Sequence, residues 1–195
     1  EFLAQDFNEP VFTQLAVDEY NAKADGSNFS KADFYNDPSD FVSTFNQYAS
    51  IADMYIACHY WDSEAPYIFT REDAKAKDWN IQIVADISCD IDCAIASTLR
   101  PSTIADPLYG YNPITESEDD FMKKGVIGVM AVDNLPCELP LDASVDFGEM
   151  FLEHVLEPLT GNDPDNIIGR ASETLNGELT EHFAYLDDYV NGTVV

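Results

Sequence analysis

Two apolar runs, each cut off by polar turn residues, restrict the folds open to this chain. The first, IVADIS from Ile83, breaks into Cys89-Asp90-Ile91-Asp92, and the second, VIGVMAV from Val126, breaks into Asp133-Asn134-Leu135-Pro136. Both are short and β-branched, as strands buried on both faces are. In an open α/β sheet the carboxyl ends of such strands border the ligand crevice. Acidic and turn residues at those ends read as a site.

Around these runs the pattern alternates. MYIAC from Met54 predicts a further strand, and VFTQL from Val11 a short one. Asp37-Pro38 reads as a helix start, with Phe41, Phe45 and Tyr48 at helical spacing up to Ser50. Thr70 predicts an N-cap with Asp73 at the capping-box position of a short helix. Residues 92–120 read as a long ordered loop, and Glu116 to Lys124 as a short helix at its end. Phe147, Met150, Phe151, Val155 and Leu159 predict one amphipathic helix ended by Pro158, and Asn176-Gly177 separates two more short helices. Strands alternating with helices imply right-handed crossovers and a parallel sheet. The expected fold is therefore α/β: a Rossmann-like sheet, about half of a doubly wound domain, over 1–142. Residues 143–195 form a C-terminal helical segment.

The charge narrows the partners. With 37 acidic against 9 basic residues, the net charge of −28 excludes nucleic acid and disfavours an anionic membrane surface. Its plain reading is a solvated acidic shell, and adaptation to high salt is the sharper one. No run approaches the ~20 apolar residues of a membrane span, and the acidic start lacks the basic flank of a signal peptide. Cys58, Cys89, Cys93 and Cys137 are too few for a disulfide scaffold, so reduced cytoplasmic thiols are expected. An unpaired strand edge in a half-sheet invites self-association, so a homo-oligomer is expected.

None of the nine glycines forms GxGxxG, and no P-loop is present, so phosphate cradling is not encoded here. Asp86, Asp90 and Asp92 alternate, and an extended chain turns all three to one side, where carboxylates suit proton transfer. They also suit simple turn capping. Asp133 and Asn134 offer an acceptor and a donor–acceptor pair to a crevice, or close a plain turn. Arg100 binds a carboxylate or phosphate, or pairs with a neighbouring acid. The Cys-x3-Cys spacing is poor for zinc, so no metal is expected. Cys58 and His59, as neighbours on a strand, point to opposite faces and make a poor nucleophile–base pair.

The run ADISCDIDCAIASTLRPSTIADPLYGYNP, followed by VMAVDNLPCELPLDAS, resembles the C-terminal part of saccharopine dehydrogenase and lysine-ketoglutarate reductase type enzymes. These are grouped with alanine dehydrogenase and the pyridine-nucleotide transhydrogenase. The resemblance implies a Rossmann-type domain, NAD or NADP as cofactor, and hydride transfer on an amino-acid substrate. It implies that Ala57 and Cys58 lie beside the nicotinamide ribose. Asp86, Met130, Asp133, Asn134 and Leu135 fall on the same cofactor side. Asp133 orients the cofactor or a substrate amine, Asp90 takes part in catalysis, and Arg100 is the candidate substrate contact. Asp90 matches the second acid of a DxxxDxG pattern, in which Asp92 stands where glycine is expected. The family's glycine-rich turn and its catalytic Lys and His have no counterpart here, so a missing N-terminal segment is the implied partner. Alanine dehydrogenase-like chemistry and a non-catalytic acidic assembly module are the alternatives.

Overall fold

Side-chain alternation decides which side of each strand is buried, and here one side is buried far more than the other. The structure, a computed structural model, describes residues 7–193. Contacts divide it into one unit up to Glu138 and a second from Leu139. In the first, β1 (Asn21–Lys23) and β2 (Phe41–Ser43) form an antiparallel ribbon. The main sheet comprises β3 (Met54–Ala57), β4 (Ile83–Asp86), β5 (Leu108–Asn112), β6 (Ser117–Asp119) and β7 (Ile127–Met130), in the order β3-β4-β7-β5-β6. β3, β4 and β7 are parallel, β5 runs antiparallel to β7, and β6 folds back on β5. The three expected strands thus form a parallel core, and the fold is Rossmann-like α/β with an antiparallel hairpin on one flank.

Ala57, Val84, Val129, Tyr109 and Tyr111 are buried, at alternate positions on neighbouring strands. They form the core with Phe45, Phe69, Ile81 and Ile95. Ring contacts stiffen it: Phe45 lies 4.7 Å from Tyr55 and Phe69 lies 4.8 Å from Trp79. The intervening positions align as two apolar rows, Met54–Ile83–Gly128–Gly110 and Ile56–Ala85–Met130–Leu108. This second face is open over much of its area, with Ile56 57% exposed, although Ala85 is buried and Gly110 is covered by Asp119, Phe121 and Val126. A parallel sheet normally buries both faces.

Several local expectations are corrected. Residues 92–120 are not one loop, and Glu116 to Lys124 is not a helix, because β5 and β6 form a hairpin there. Glu116 takes φ +52° at its turn, and the Asn112 side-chain Oδ1 accepts from the Ile114 N–H, so turn chemistry overrides helix propensity. The span 38–50 is broken into a 3-10 turn Pro38–Asp40, β2, and a short helix Asn46–Ala49. Burial of Phe41 in an extended pairing with Lys23 wins over its helical spacing. Residues 11–15 form no strand. Thr70 and Asp73 do cap each other: the Thr70 N–H donates to Asp73 Oδ2 at 2.8 Å and the Asp73 N–H to Thr70 Oγ1 at 3.2 Å.

In the second unit the helix Pro140–His154 stops before Val155, and a separate helix Leu156–Thr160 follows. Pro158 lies in the first turn of that second helix, where no backbone donor is needed. Asn176-Gly177 does lie between short helices, Ile167–Ala171 and the helical stretch from Glu181 to Val190, and it turns a two-stranded hairpin between them, β8 (Thr174–Leu175) and β9 (Glu178–Leu179). Both turn residues take the positive φ that this connection requires. The Asp163 carboxylate accepts the N–H groups of Ile167 and Ile168, capping the helix Ile167–Ala171. No helix among the described residues is long and apolar enough to cross a membrane.

Candidate functional site

The parallel strands all end at one edge, and β5, running the other way, begins there. The loop from Ile87 to Pro107 therefore leaves and re-enters the sheet on the same side. Asp86, the last residue of β4 and 1% exposed, anchors it. Asp86 Oδ1 accepts from Ser88 Oγ at 2.7 Å and the Cys89 N–H at 3.0 Å, and Oδ2 accepts from Thr98 Oγ1 at 2.7 Å. Three donors compensate for burying this polar group. The loop is also stitched to the end of β7. The Ser102 N–H donates to the Ala131 carbonyl at 2.8 Å, and the Ala131 N–H donates to Ser102 Oγ at 3.0 Å. Tyr109 Oη donates to the Ser97 carbonyl at 3.0 Å and accepts from the Leu99 N–H at 2.9 Å.

Because the strand stops at Asp86, the three alternating acids do not share one side. Cys89 and Asp92 both adopt left-handed backbone, at φ +55° and +52°. At Asp92 this is the conformation that glycine takes readily, so the position where the motif expects glycine keeps its backbone. The Asp92 side chain turns to Arg71, 2.5 Å from Nη2. Asp90 instead lines a hollow of about 410 Å³ together with Cys58, His59, Tyr60 and Trp61, which follow β3, and Ile87 and Ser88, which follow β4.

Electrostatics ties the two sequence motifs together. Burial pushes the Cys89 thiol up, and Asp86, Asp133 and Asp90 push it further. Carboxylates that follow β4 and β7 thus act on one thiol, which donates to the Ala131 carbonyl at 3.2 Å. A thiol held in its protonated form is a poor nucleophile.

The other sequence candidates fall as follows. Ala57 pairs in register with Asp86, and Met130 with Ala85, so both lie at the same edge of the sheet. Asp133 and Asn134 are exposed in the connection after β7, and Leu135 opens the 3-10 turn Leu135–Glu138. Arg100 is not gathered into the hollow. Its Nε and Nη2 grip the Glu118 carboxylate at 2.8 and 2.9 Å, Nη1 donates to the Pro101 carbonyl, and the guanidinium lies 4.6 Å from the Tyr109 ring centre. Among the described residues no group of three or more His, Cys, Asp or Glu is placed to hold a metal.

His59 was missed as a site residue. Both ring nitrogens are buried without a hydrogen-bond partner, and burial pulls the imidazole below its ordinary range although Asp86 and Asp90 act the other way. Its signal was positional: it is the second residue past β3, at the carboxyl edge. Thr98 and Ser102 carried no such signal, since their roles arise from a contact across the loop.

No family model matches the chain. An alpha-aminoadipic semialdehyde synthase of Arabidopsis thaliana is 29% identical over 171 residues, covering 84% of this chain and 16% of that protein. The mitochondrial alpha-aminoadipic semialdehyde synthases of Rattus norvegicus and Mus musculus are 26% and 25% identical, again over 84% of this chain and 20% of each relative. The chain thus spans a sixth to a fifth of the length of the curated relatives it matches. These homologues fall in the lysine-ketoglutarate reductase/saccharopine dehydrogenase group that the two motifs resemble.

Proposed function

We propose that this chain carries the nicotinamide side of the active-site crevice of an NAD(P)-dependent amino-acid oxidoreductase of lysine metabolism. One observation supports this above the rest: Asp90 and Asp133, from the two motifs that resemble that group, both follow strands at the carboxyl edge of the parallel core, and the charges of both raise the Cys89 thiol. That edge is where open α/β sheets bind their ligands. The residues fit the cofactor at one end only. Ala57, Cys58, Asp86, Met130, Asp133, Asn134 and Leu135 lie at that edge and would hold the nicotinamide end. No glycine-rich turn for the pyrophosphate exists in the sequence, so that contact falls to a segment outside this chain. Bound there, the cofactor supplies the hydride acceptor. The chain's own contribution is orientation: Asp133 and Asn134 offer acceptors and one donor amide, and the Asp86 anchor fixes the loop that presents Asp90. Arg100 serves as a substrate contact only by releasing Glu118.

The test joins this chain to the preceding segment of a relative and follows NAD(P) reduction with saccharopine and with alanine. Turnover that is lost in Asp133→Ala, with cofactor still bound, supports the reading. A folded, joined protein that neither binds NAD(P) nor turns over either substrate refutes it. The open apolar sheet face favours a second reading, a non-catalytic assembly module. Calorimetry separates the two, because such a module binds neither cofactor nor amino acid.

A further inference from the structure

We propose that His59, with Asp90 and Ser88, is the anchor for a primary ammonium group entering the hollow beside β3 and β4. This rests on the reading of that edge as a substrate crevice, and it names both the group recognised and the residues that recognise it. A primary ammonium presents three N–H donors and no acceptor. The polar part of the hollow offers matching acceptors. Asp90 supplies a carboxylate. Ser88 directs its hydroxyl proton to Asp86 at 2.7 Å, which leaves its oxygen lone pairs free to accept. His59, held as the neutral imidazole, supplies one ring lone pair.

Buried polar groups are rarely left without partners. The His59 ring nitrogens are covered and unpaired in the wall of the hollow. Turning the ring toward an incoming ligand breaks no hydrogen bond, so the bound state gains a contact at little cost in old ones. The Tyr60 ring is 92% exposed and free to yield. Trp61, whose Nε1 donates to the Pro66 carbonyl at 3.1 Å, gives a fixed apolar wall for the aliphatic stem behind the ammonium. No Lys or Arg lines this hollow. A cation therefore enters without a competing charge, and a carboxylate is repelled by Asp90.

The test titrates the full chain with n-butylammonium, L-lysine and butyrate while following the His59 imidazole by nitrogen-15 NMR. NADH binding is measured on the same samples. The two amines should shift the His59 ring signals and butyrate should not. His59→Phe and Asp90→Asn should each weaken amine binding at least tenfold, while His59→Gln, which keeps an acceptor, should lose less. Ring signals unmoved by saturating amine overturn the proposal even if a variant misfolds. NADH bound without any amine response sinks this inference alone. An amine response without NADH binding keeps the ammonium site and counts against the oxidoreductase reading.

Discussion

Removing one hydroxyl tests whether the Asp86 anchor holds the crevice together. In Thr98→Val the side-chain shape is kept and the 2.7 Å hydrogen bond to Asp86 Oδ2 is lost. Thr98 is the only hydrogen-bond partner of that oxygen among the described residues, and both groups are buried. Losing a hydrogen bond to a charged acceptor costs roughly 1.5–3 kcal/mol. The backbone contacts of Thr98, to the Asp92 N–H and the Ile95 carbonyl, are untouched. Thr98→Ser keeps the hydroxyl and removes one buried methyl, costing about 1 kcal/mol. Urea unfolding followed by tryptophan fluorescence reads the first unit alone, since Trp61 and Trp79 are the only tryptophans. With a slope of about 2 kcal/mol/M, the valine variant should lower the midpoint by roughly 1 M and the serine variant by about half that. A valine variant as stable as the serine variant, or more so, refutes the reasoning, because the anchor would then contribute nothing beyond packing.

The two faces of the sheet should answer substitution differently. Val84→Ala, on the covered face, should cost about 2 kcal/mol, whereas Ile56→Lys, on the open face, should stay within about 0.5 kcal/mol by the same urea assay. Gly110→Ala should cost roughly 2–3 kcal/mol, since its new Cβ would fall 2.5 Å from the Asp119 carbonyl oxygen and 2.7 Å from the Phe121 nitrogen. His59 should tilt the stability–pH curve. Its folded pKa lies below the ordinary imidazole value of about 6.5 through burial, against the pull of Asp86 and Asp90. The unfolded chain thus takes up the proton first, and stability falls as pH drops below about 6.5. Melting profiles should show that slope flattened in His59→Phe. Asp119, lowered to about 2 by Lys123 and Asn112, should act only in more acid solution, with its contribution lost as pH falls from 3.8 toward that value.

The parallel core was legible because its strands are apolar, β-branched and bounded by abrupt polar breaks. β3, β4 and β7 lie where MYIAC, IVADIS and VIGVMAV place them. The hairpin of β5 and β6 was not, because Tyr109 and Tyr111 sit among Pro, Asn and Thr, and only pairing with β7 makes that stretch extended. Similarly, Phe41 and Phe45 lie at helical spacing, yet one is held by a strand register and the other by ring packing on Tyr55. Acid placement was half legible. The charges of Asp90 and Asp133 both act on Cys89, but alternation from Asp86 to Asp92 assumed an extended chain six residues longer than β4, and so put Asp92 on the wrong side.

The reversed direction of β5 explains how a loop of some twenty residues stays ordered without a covering helix. Leu108 opposes Met130, so β5 begins where β7 ends, and the chain from Asp86 to Leu108 never crosses the sheet. It instead arches over the carboxyl edge, held at Thr98 by Asp86, at Ser102 by Ala131, and at Ser97 and Leu99 by Tyr109. A parallel crossover would carry those residues to the far edge and leave Asp86 buried without its Thr98 donor. The same geometry that satisfies this polar group also ties the loop to the end of β7 through Ser102, so the order of the loop and the burial of Asp86 have one cause.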